Sequence, residues 1–229
     1  MKQLVLDMGL APVPGWSNFV VAAGNQELQQ HLRRCTEQPL SSPAPTCLWG
    51  ESGSGKTHVL SAVRQSLLEQ GSQVGWLDAT TLAPGAFDER WDAVLLDDCQ
   101  RYSAEQQAAA FNWFINAQHP AHGPVRWVLA AADRPPTDLD LREDLRTRLG
   151  WGHVFQLRTA SETERRAVLR RAADERGVLL GDEVMEFMLK RFSRDLSNLM
   201  RLLDQLDVYA LRTQRAITIP LIKSMLENE

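Results

Sequence analysis

Over the first two thirds of the chain, short apolar runs alternate with longer stretches in which apolar residues recur every three or four positions. The runs at Thr46–Trp49, Gln73–Leu77, Ala93–Leu96, Trp127–Ala131 and Val154–Leu157 predict strands. The longer stretches predict helices from Gln26 to about Cys35, Lys56 to about Gln70 and Ser103 to about Gln118. Strands alternating with helices predict a parallel sheet covered on both faces. After Leu157 the strand signal stops. Ser161-Glu162-Thr163-Glu164 has the spacing of a capping box, and helices are predicted over Glu162–Glu175, Asp182–Phe192, Asp195–Arg212 and Pro220–Glu227, punctuated by Gly177 and Gly181. The stiff, turn-rich segment Leu10–Gly15 sets off the residues before it, and Glu37–Pro45 reads as a loop. The expected organisation is an N-terminal tail (1–9), an α/β base (10–157) and an all-helical part (158–229).

Composition narrows the class. The 229 residues carry 25 basic and 29 acidic side chains, a net charge of −4, with 44% hydrophobic and 24% charged residues, which are globular averages. The longest uninterrupted apolar run, Trp127–Ala132, is far shorter than the roughly 18 residues needed to cross a bilayer. Met1–Leu10 lacks the continuous apolar stretch of a secretory signal, so a cytoplasmic protein with no membrane partner is expected. Cys35, Cys47 and Cys99 fit neither a disulfide framework nor a zinc pair and read as reduced thiols. Residues 158–229 hold 13 basic and 12 acidic side chains, net +1, so neither part is a basic module and no direct sequence-specific DNA binding is expected.

Gly50-Glu51-Ser52-Gly53-Ser54-Gly55-Lys56-Thr57 satisfies G-x-x-x-x-G-K-[ST] between a predicted strand and a predicted helix, the setting a phosphate loop requires. Glycines let backbone N–H groups close on phosphate oxygens, and the helix N-terminus adds a favourable dipole. Lys56 is then expected at the β and γ phosphates of ADP or ATP, and Thr57 at Mg²⁺. Such a site also needs an acid at the end of a buried strand. Ala93-Val94-Leu95-Leu96-Asp97-Asp98 supplies Asp97 for the metal side, while Asp98 can polarise a water. An Asp pair that merely caps a turn is the structural alternative.

With both motifs in place the chain resembles the AAA+ ATPases, and within them the DnaA/Hda family, over nearly its whole length. The resemblance implies a P-loop AAA+ α/β fold, a parallel sheet sandwiched by helices, followed by an all-helical lid. Asn18-Phe19-Val20-Val21, with Asn25 after it, resembles the segment leading into the nucleotide pocket, and Trp127–Pro136 resembles the sensor 1 strand, with Asp133 in the sensing position. Leu145–Gly152 resembles the motif carrying the family's arginine finger, which falls on Arg148. The sensor 2 arginine is replaced by Ser197, with Arg194 or Arg201 as substitutes nearby. Gln3-Leu4-Val5-Leu6-Asp7-Met8 resembles a sliding-clamp-binding hexapeptide: Leu4, Leu6 and Met8 would enter an apolar groove while Gln3 hydrogen-bonds at its rim. With the sequence ending at Glu229 after a lid of net charge +1, the DNA-binding domain of an initiator is expected to be missing.

The resemblance implies a regulatory inactivator of the replication initiator DnaA. It would bind the DNA-loaded sliding clamp (the polymerase β subunit) and stimulate hydrolysis of DnaA-bound ATP through Arg148 acting in trans, preventing over-initiation. Its own ATPase would be weak, ADP being a structural ligand. It leaves a homo-oligomer open. The alternatives are a helicase loader or assembly ATPase hydrolysing its own ATP, and an adaptor whose nucleotide is purely structural. Arg148 would otherwise be a surface or lid-docking ion pair. The five histidines form no ligand spacing. Trp49, Trp76, Trp113 and Trp127 read as core rather than base-stacking residues, and Arg165, Arg166, Arg170 and Arg171 as a solvated face, with DNA contact near the clamp as the alternative.

Overall fold

Among the described residues five strands, β1 (Thr46–Trp49), β2 (Val74–Leu77), β3 (Ala93–Leu96), β4 (Trp127–Ala132) and β5 (His153–Gln156), form one parallel sheet in the order β2-β3-β4-β1-β5. The structure is a computed structural model and describes residues 23–37, 43–192 and 196–227. The central strands β3 and β4 are buried along their whole length, which is why they read as unbroken apolar runs. Edge strand β5 is largely exposed.

Alternation of side chains along each strand gives the sheet two faces. Val94 and Leu96 of β3 pack with Val128 and Ala130 against helix α3 (Ala104–Gln118) and helix α4 (Glu143–Leu149), through Trp113, Phe114, Leu145 and Leu149. Ala93 and Leu95 pack with Leu129 and Ala131 against helix α1 (Gln26–Glu37) and helix α2 (Lys56–Glu69), through Leu28, Leu32, Leu60 and Val63. Helix α4, absent from the periodicity reading, is only seven residues long and Leu145 and Leu149 are its sole apolar positions. A capping box of Ser103 and Gln106 starts α3.

Contacts divide the chain into two compact units, Val13–Thr159 and one containing Ala160–Glu229. The second is all-helical: α5 (Glu162–Glu175), α6 (Asp182–Arg191), α7 (Leu196–Thr213) and α8 (Ile219–Glu227). The Ser161/Glu164 capping box opens α5 as its spacing predicts, with Glu164 N–H donating to Ser161 Oγ at 3.2 Å and Ser161 N–H to Glu164 Oε2 at 2.8 Å. Leu169, Met185, Met188, Leu199, Leu203, Leu206 and Ile222 fill this unit's core. Among the described residues no helix is long and apolar enough to cross a membrane.

One titration links packing to pH. His31 of α1 lies against β5, its ring centroid 4.4 Å from that of His153 and 5.0 Å from that of Phe155, with Nε2 2.9 Å from Thr46 Oγ1. Burial first, then the His153 and Arg34 charges, lower its pKa from 6.5 to about 4. The unfolded chain therefore binds this proton near pH 6.5 and the folded chain only near pH 4. The stabilisation from neutral His31 is complete above 6.5 and lost as pH falls through that window. The urea midpoint is expected to fall between pH 6.5 and 4, less steeply in His31→Gln. An unchanged slope in the variant would assign the dependence to other groups.

Candidate functional site

The segment between β1 and α2 folds as a tight loop against the ends of neighbouring strands. Gly50 N–H donates to Ala132 O at 3.2 Å, and a Cβ at Gly50 would stand 2.4 Å from Leu157 O, so only glycine fits there. Gly53 and Gly55 have φ of 78° and 96°, left-handed values that suit glycine. Gly55 is the N-cap of α2 and offers no side chain to that helix end, leaving its first N–H groups available to an anion. Ser54 Oγ is buried without a hydrogen-bond partner among the described residues.

Lys56 is only 7% exposed, and its Nζ donates to Gly50 O at 2.7 Å and Glu51 O at 3.0 Å. Burial lowers its pKa, while Asp98, Asp97 and Asp133 raise it. A cation ringed by three carboxylates and its own loop carbonyls suits a phosphate-binding cradle. Asp97, at the end of β3 and 3% exposed, accepts a hydrogen bond from the Thr57 hydroxyl and one from Asp98 N–H at 3.0 Å. Burial is the largest influence on its carboxyl and raises the pKa, reinforced by Asp98 and opposed by the Thr57 hydrogen bond. The Thr57 hydroxyl beside a buried carboxylate is a donor set that suits a hard cation such as Mg²⁺.

Asp98 adopts a left-handed conformation (φ 53°, ψ 41°) uncommon for a residue with a side chain. Its Oδ1 accepts from Gln100 Nε2 at 3.2 Å, and Arg101 Nη1 is 3.6 Å from its Oδ2. The same Gln100 accepts from Asp133 N–H at 3.1 Å, tying the end of β3 to the residue that follows β4. Sequence reading misses Gln100, whose only signal is its position two residues after the acid pair. Asp133 itself pairs with Arg134 at 3.1 Å. Buried Asn25 exchanges two hydrogen bonds with the backbone of Arg158, 2.8 Å to its carbonyl and 2.9 Å from its N–H, fastening the start of α1 beside the end of β5.

Arg148 stands elsewhere. It occupies the last turn of α4 in a surface cavity of about 590 Å³ whose other walls are Phe111, Arg142, Glu143, Asp144, Thr147 and Trp151; no residue of the phosphate loop lines it. Its guanidinium carbon lies 3.9 Å from the centre of the Trp151 ring, and its Nη1 is buried without a hydrogen-bond partner among the described residues. A buried donor left so costs roughly 1–3 kcal/mol. Asp144 is engaged by Arg142 at 2.7 Å, and the Arg142 guanidinium sits 5.2 Å from the Phe111 ring centre.

Other candidates sort differently. Arg165 is buried, with Nη1 donating to Ala160 O at 2.8 Å, Arg170 pairs with Asp182, and Arg171 pairs with Glu175 at 2.8 Å. Arg165 departs from the expected solvated arginine face, whereas Arg170 and Arg171 are exposed and carry surface ion pairs. Trp113 and Trp127 are core and Trp49 and Trp76 half-buried, whereas Trp151 is 51% exposed. Burial pushes the Cys47 thiol up to about 12 and raises Cys99 and Cys35, so none is a ready nucleophile. Arg201 Nη2 donates to Asn198 Oδ1 at 2.9 Å. Gln3, Leu4, Leu6, Met8, Asn18–Val21 and Arg194, together with the side chain of Ser197, lie outside the described residues.

Known proteins share this architecture. Two family descriptions match: "Hda, lid domain" over residues 162–226 and "Bacterial DnaA ATPase domain" over residues 10–83. A Haemophilus influenzae protein described as uncharacterized is 34% identical over 189 residues, covering 78% of this chain and 80% of that one. The fold is similar to domain III of the replication initiation protein DnaA from Thermotoga maritima, with TM-score 0.70 and 22% identity over 96% of this chain and 98% of that one. AMPPCP-bound DnaA from Aquifex aeolicus gives TM-score 0.69 at 22% identity over 90% of this chain and 68% of that one. The Holliday junction branch migration motor RuvB of Thermotoga maritima gives TM-score 0.59 at 18% identity over 93% of this chain and 71% of that one. At these identities the structural likeness is one of fold.

Proposed function

This chain belongs to the DnaA/Hda family of AAA+ proteins, and on that premise we propose that it inactivates the replication initiator DnaA by stimulating hydrolysis of DnaA-bound ATP. The observation that carries this reading is the setting of Arg148. Its guanidinium occupies an open cavity walled by none of the chain's own phosphate-loop residues, and it is neutralised by no ion pair among the described residues. Such a cation suits another molecule's nucleotide. Water attacks the γ phosphorus of the initiator's ATP, the bond to the β-phosphate oxygen breaks, and ADP leaves with that electron pair. The proton lost by water passes to phosphate or solvent. Arg148 neutralises the charge that develops on the departing oxygens.

The chain's own nucleotide, ADP or ATP, would be held by the backbone of Gly50, Glu51, Ser52, Gly53, Ser54 and Gly55, by Lys56 on the phosphates, and by Asp133 across the pocket. Thr57 and Asp97 would hold Mg²⁺, which when bound neutralises phosphate charge. The tail residues Gln3, Leu4, Leu6 and Met8 would dock on the sliding clamp. Intact Asp97 and Asp98 beside Lys56 favour a second reading, an assembly ATPase that turns over its own ATP.

Reconstitution separates the two. DnaA-bound ATP hydrolysis is expected to rise only when this protein and DNA-loaded clamp are both present, and deletion of Gln3–Met8 is expected to abolish that clamp-dependent rise while leaving ADP binding intact. Rapid steady turnover by the isolated protein, with no effect on DnaA, would instead establish the second reading.

A further inference from the structure

The stack of Arg148 on Trp151 bears on what aims a long side-chain cation into its cavity. Glu143 and Asp144 line the same cavity, and an arginine beside carboxylates ordinarily pairs with one. Here Asp144 is held in two hydrogen bonds by Arg142, both at 2.7 Å, and Arg148 lies on an indole instead. The distinction matters chemically. A carboxylate cancels the positive charge and occupies the N–H donors, whereas a ring takes only the face of the guanidinium and leaves its edge donors and its charge for an acceptor.

The backbone that carries the ring is held on both sides. Trp151 N–H donates to Arg148 O at 3.1 Å and Gly150 N–H to Thr147 O at 3.2 Å, closing α4 in a turn that brings residue 151 back over residue 148. On the other side, a Cβ at Gly152 would stand 2.0 Å from Pro45 O, and His153 N–H donates to that same carbonyl at 2.9 Å. The chain is thus pressed against the lead-in to β1 immediately after Trp151, which leaves the indole little freedom of backbone. The exposure of so large an apolar side chain, in a unit whose strand-borne tryptophans are buried or half-buried, then has a use.

We propose that Trp151 is the positioning residue of Arg148: its indole face holds the guanidinium in the cavity without a carboxylate partner among the described residues, so that its charge is left for the phosphate oxygens of a nucleotide carried by a partner. This rests on the reading of Arg148 as a residue acting in trans.

The test uses the full chain in the reconstituted reaction with loaded clamp, comparing Trp151→Phe, Trp151→Leu and Arg148→Ala. Trp151→Leu keeps apolar bulk and removes the ring face; it is expected to lower the maximal stimulated rate on the order of 10-fold or more, since misplacement of a catalytic group by about an ångström costs up to 10²-fold. The concentration giving half-maximal stimulation is expected to move little, and Trp151→Phe to restore most of the rate. In chain labelled with ¹⁵N-arginine, the Arg148 Nε–H resonance, identified by its loss in Arg148→Ala, is expected to carry a ring-current shift that persists in Trp151→Phe and vanishes in Trp151→Leu. Full maximal rate in Trp151→Leu overturns the proposal, as does a change confined to half-maximal concentration, which would make Trp151 a partner contact. If Arg148→Ala itself retains stimulation, the underlying reading of Arg148 fails instead.

Discussion

Arg148→Ala is expected to remove at least about 10³-fold of the stimulated hydrolysis of DnaA-bound ATP, the lower end of what a guanidinium supplied in trans contributes to phosphoryl transfer. Location sets the rest of the expectation. The side chain belongs to a cavity on α4 whose lining residues come from α3, α4 and the segments flanking α4, so its loss leaves the phosphate loop and its carboxylates untouched. Affinity of the variant for ADP and for clamp should therefore equal that of the parent chain. Stability should change little, since the residue makes a ring stack and leaves one buried donor unsatisfied. Arg148→Lys is expected to rescue poorly: an ammonium is a compact point charge without the planar fork that contacts two phosphate oxygens together. The measurement is single-turnover decay of labelled ATP on DnaA. Undiminished decay with Arg148→Ala would remove Arg148 from the chemistry.

Lys56→Ala is expected to weaken binding of ADP or ATP by about 10²-fold or more, because the lysine makes charge-assisted hydrogen bonds worth roughly 1.5–3 kcal/mol each. Its Nζ donates to Gly50 O and Glu51 O, two carbonyls of the loop that would cradle the phosphates. It also opposes the effect of burial and of Asp98 on Asp97, so its removal raises the carboxyl of buried Asp97 further. Titration calorimetry with ADP and Mg²⁺ checks the affinity. Thermal unfolding provides a second check: the upward shift that saturating ADP gives the parent chain should disappear. Unaltered ADP affinity in the variant would place the nucleotide elsewhere on the chain.

Together the two variants dissect the function. On the proposed function, Lys56→Ala would act through the chain's own nucleotide, and Arg148→Ala through the partner's. If the chain's nucleotide is structural, its loss should disorganise the site where Gln100 links Asp98 to the residue after β4, and stimulation should fail secondarily, with binding of clamp preserved.

Much of this architecture could be read from residue pattern alone. Fully buried parallel strands need apolar side chains on both faces, so β3 and β4 stood out as continuous apolar runs and the end of β3 marked Asp97, whereas Asp133 came only from the family resemblance. The phosphate loop was legible because its demands are local: glycine where φ is positive or the backbone passes close, a lysine at the helix start, a hydroxyl next to it. The capping box at Ser161 was legible for the same reason. Helix α4 was not, since a seven-residue helix with two apolar positions carries too little period to detect.

What tertiary structure alone decided were relations between residues distant in the chain or indifferent in type. Nothing in four nearby arginines tells that Arg165 is buried while Arg170 and Arg171 are paired; partners on other turns and helices determine that. Nothing in Gln100 announces a bridge between two strand ends, which exists only because β3 and β4 are neighbours in the sheet. Arg148 was placed by its motif, yet its rest on Trp151, with no carboxylate partner among the described residues although Glu143 and Asp144 line the same cavity, goes with a turn closed by hydrogen bonds and braced against Pro45. Short-range geometry and periodicity are written in the order of residues, whereas the pairing of charges depends on which side chains the fold brings within a few ångströms of one another.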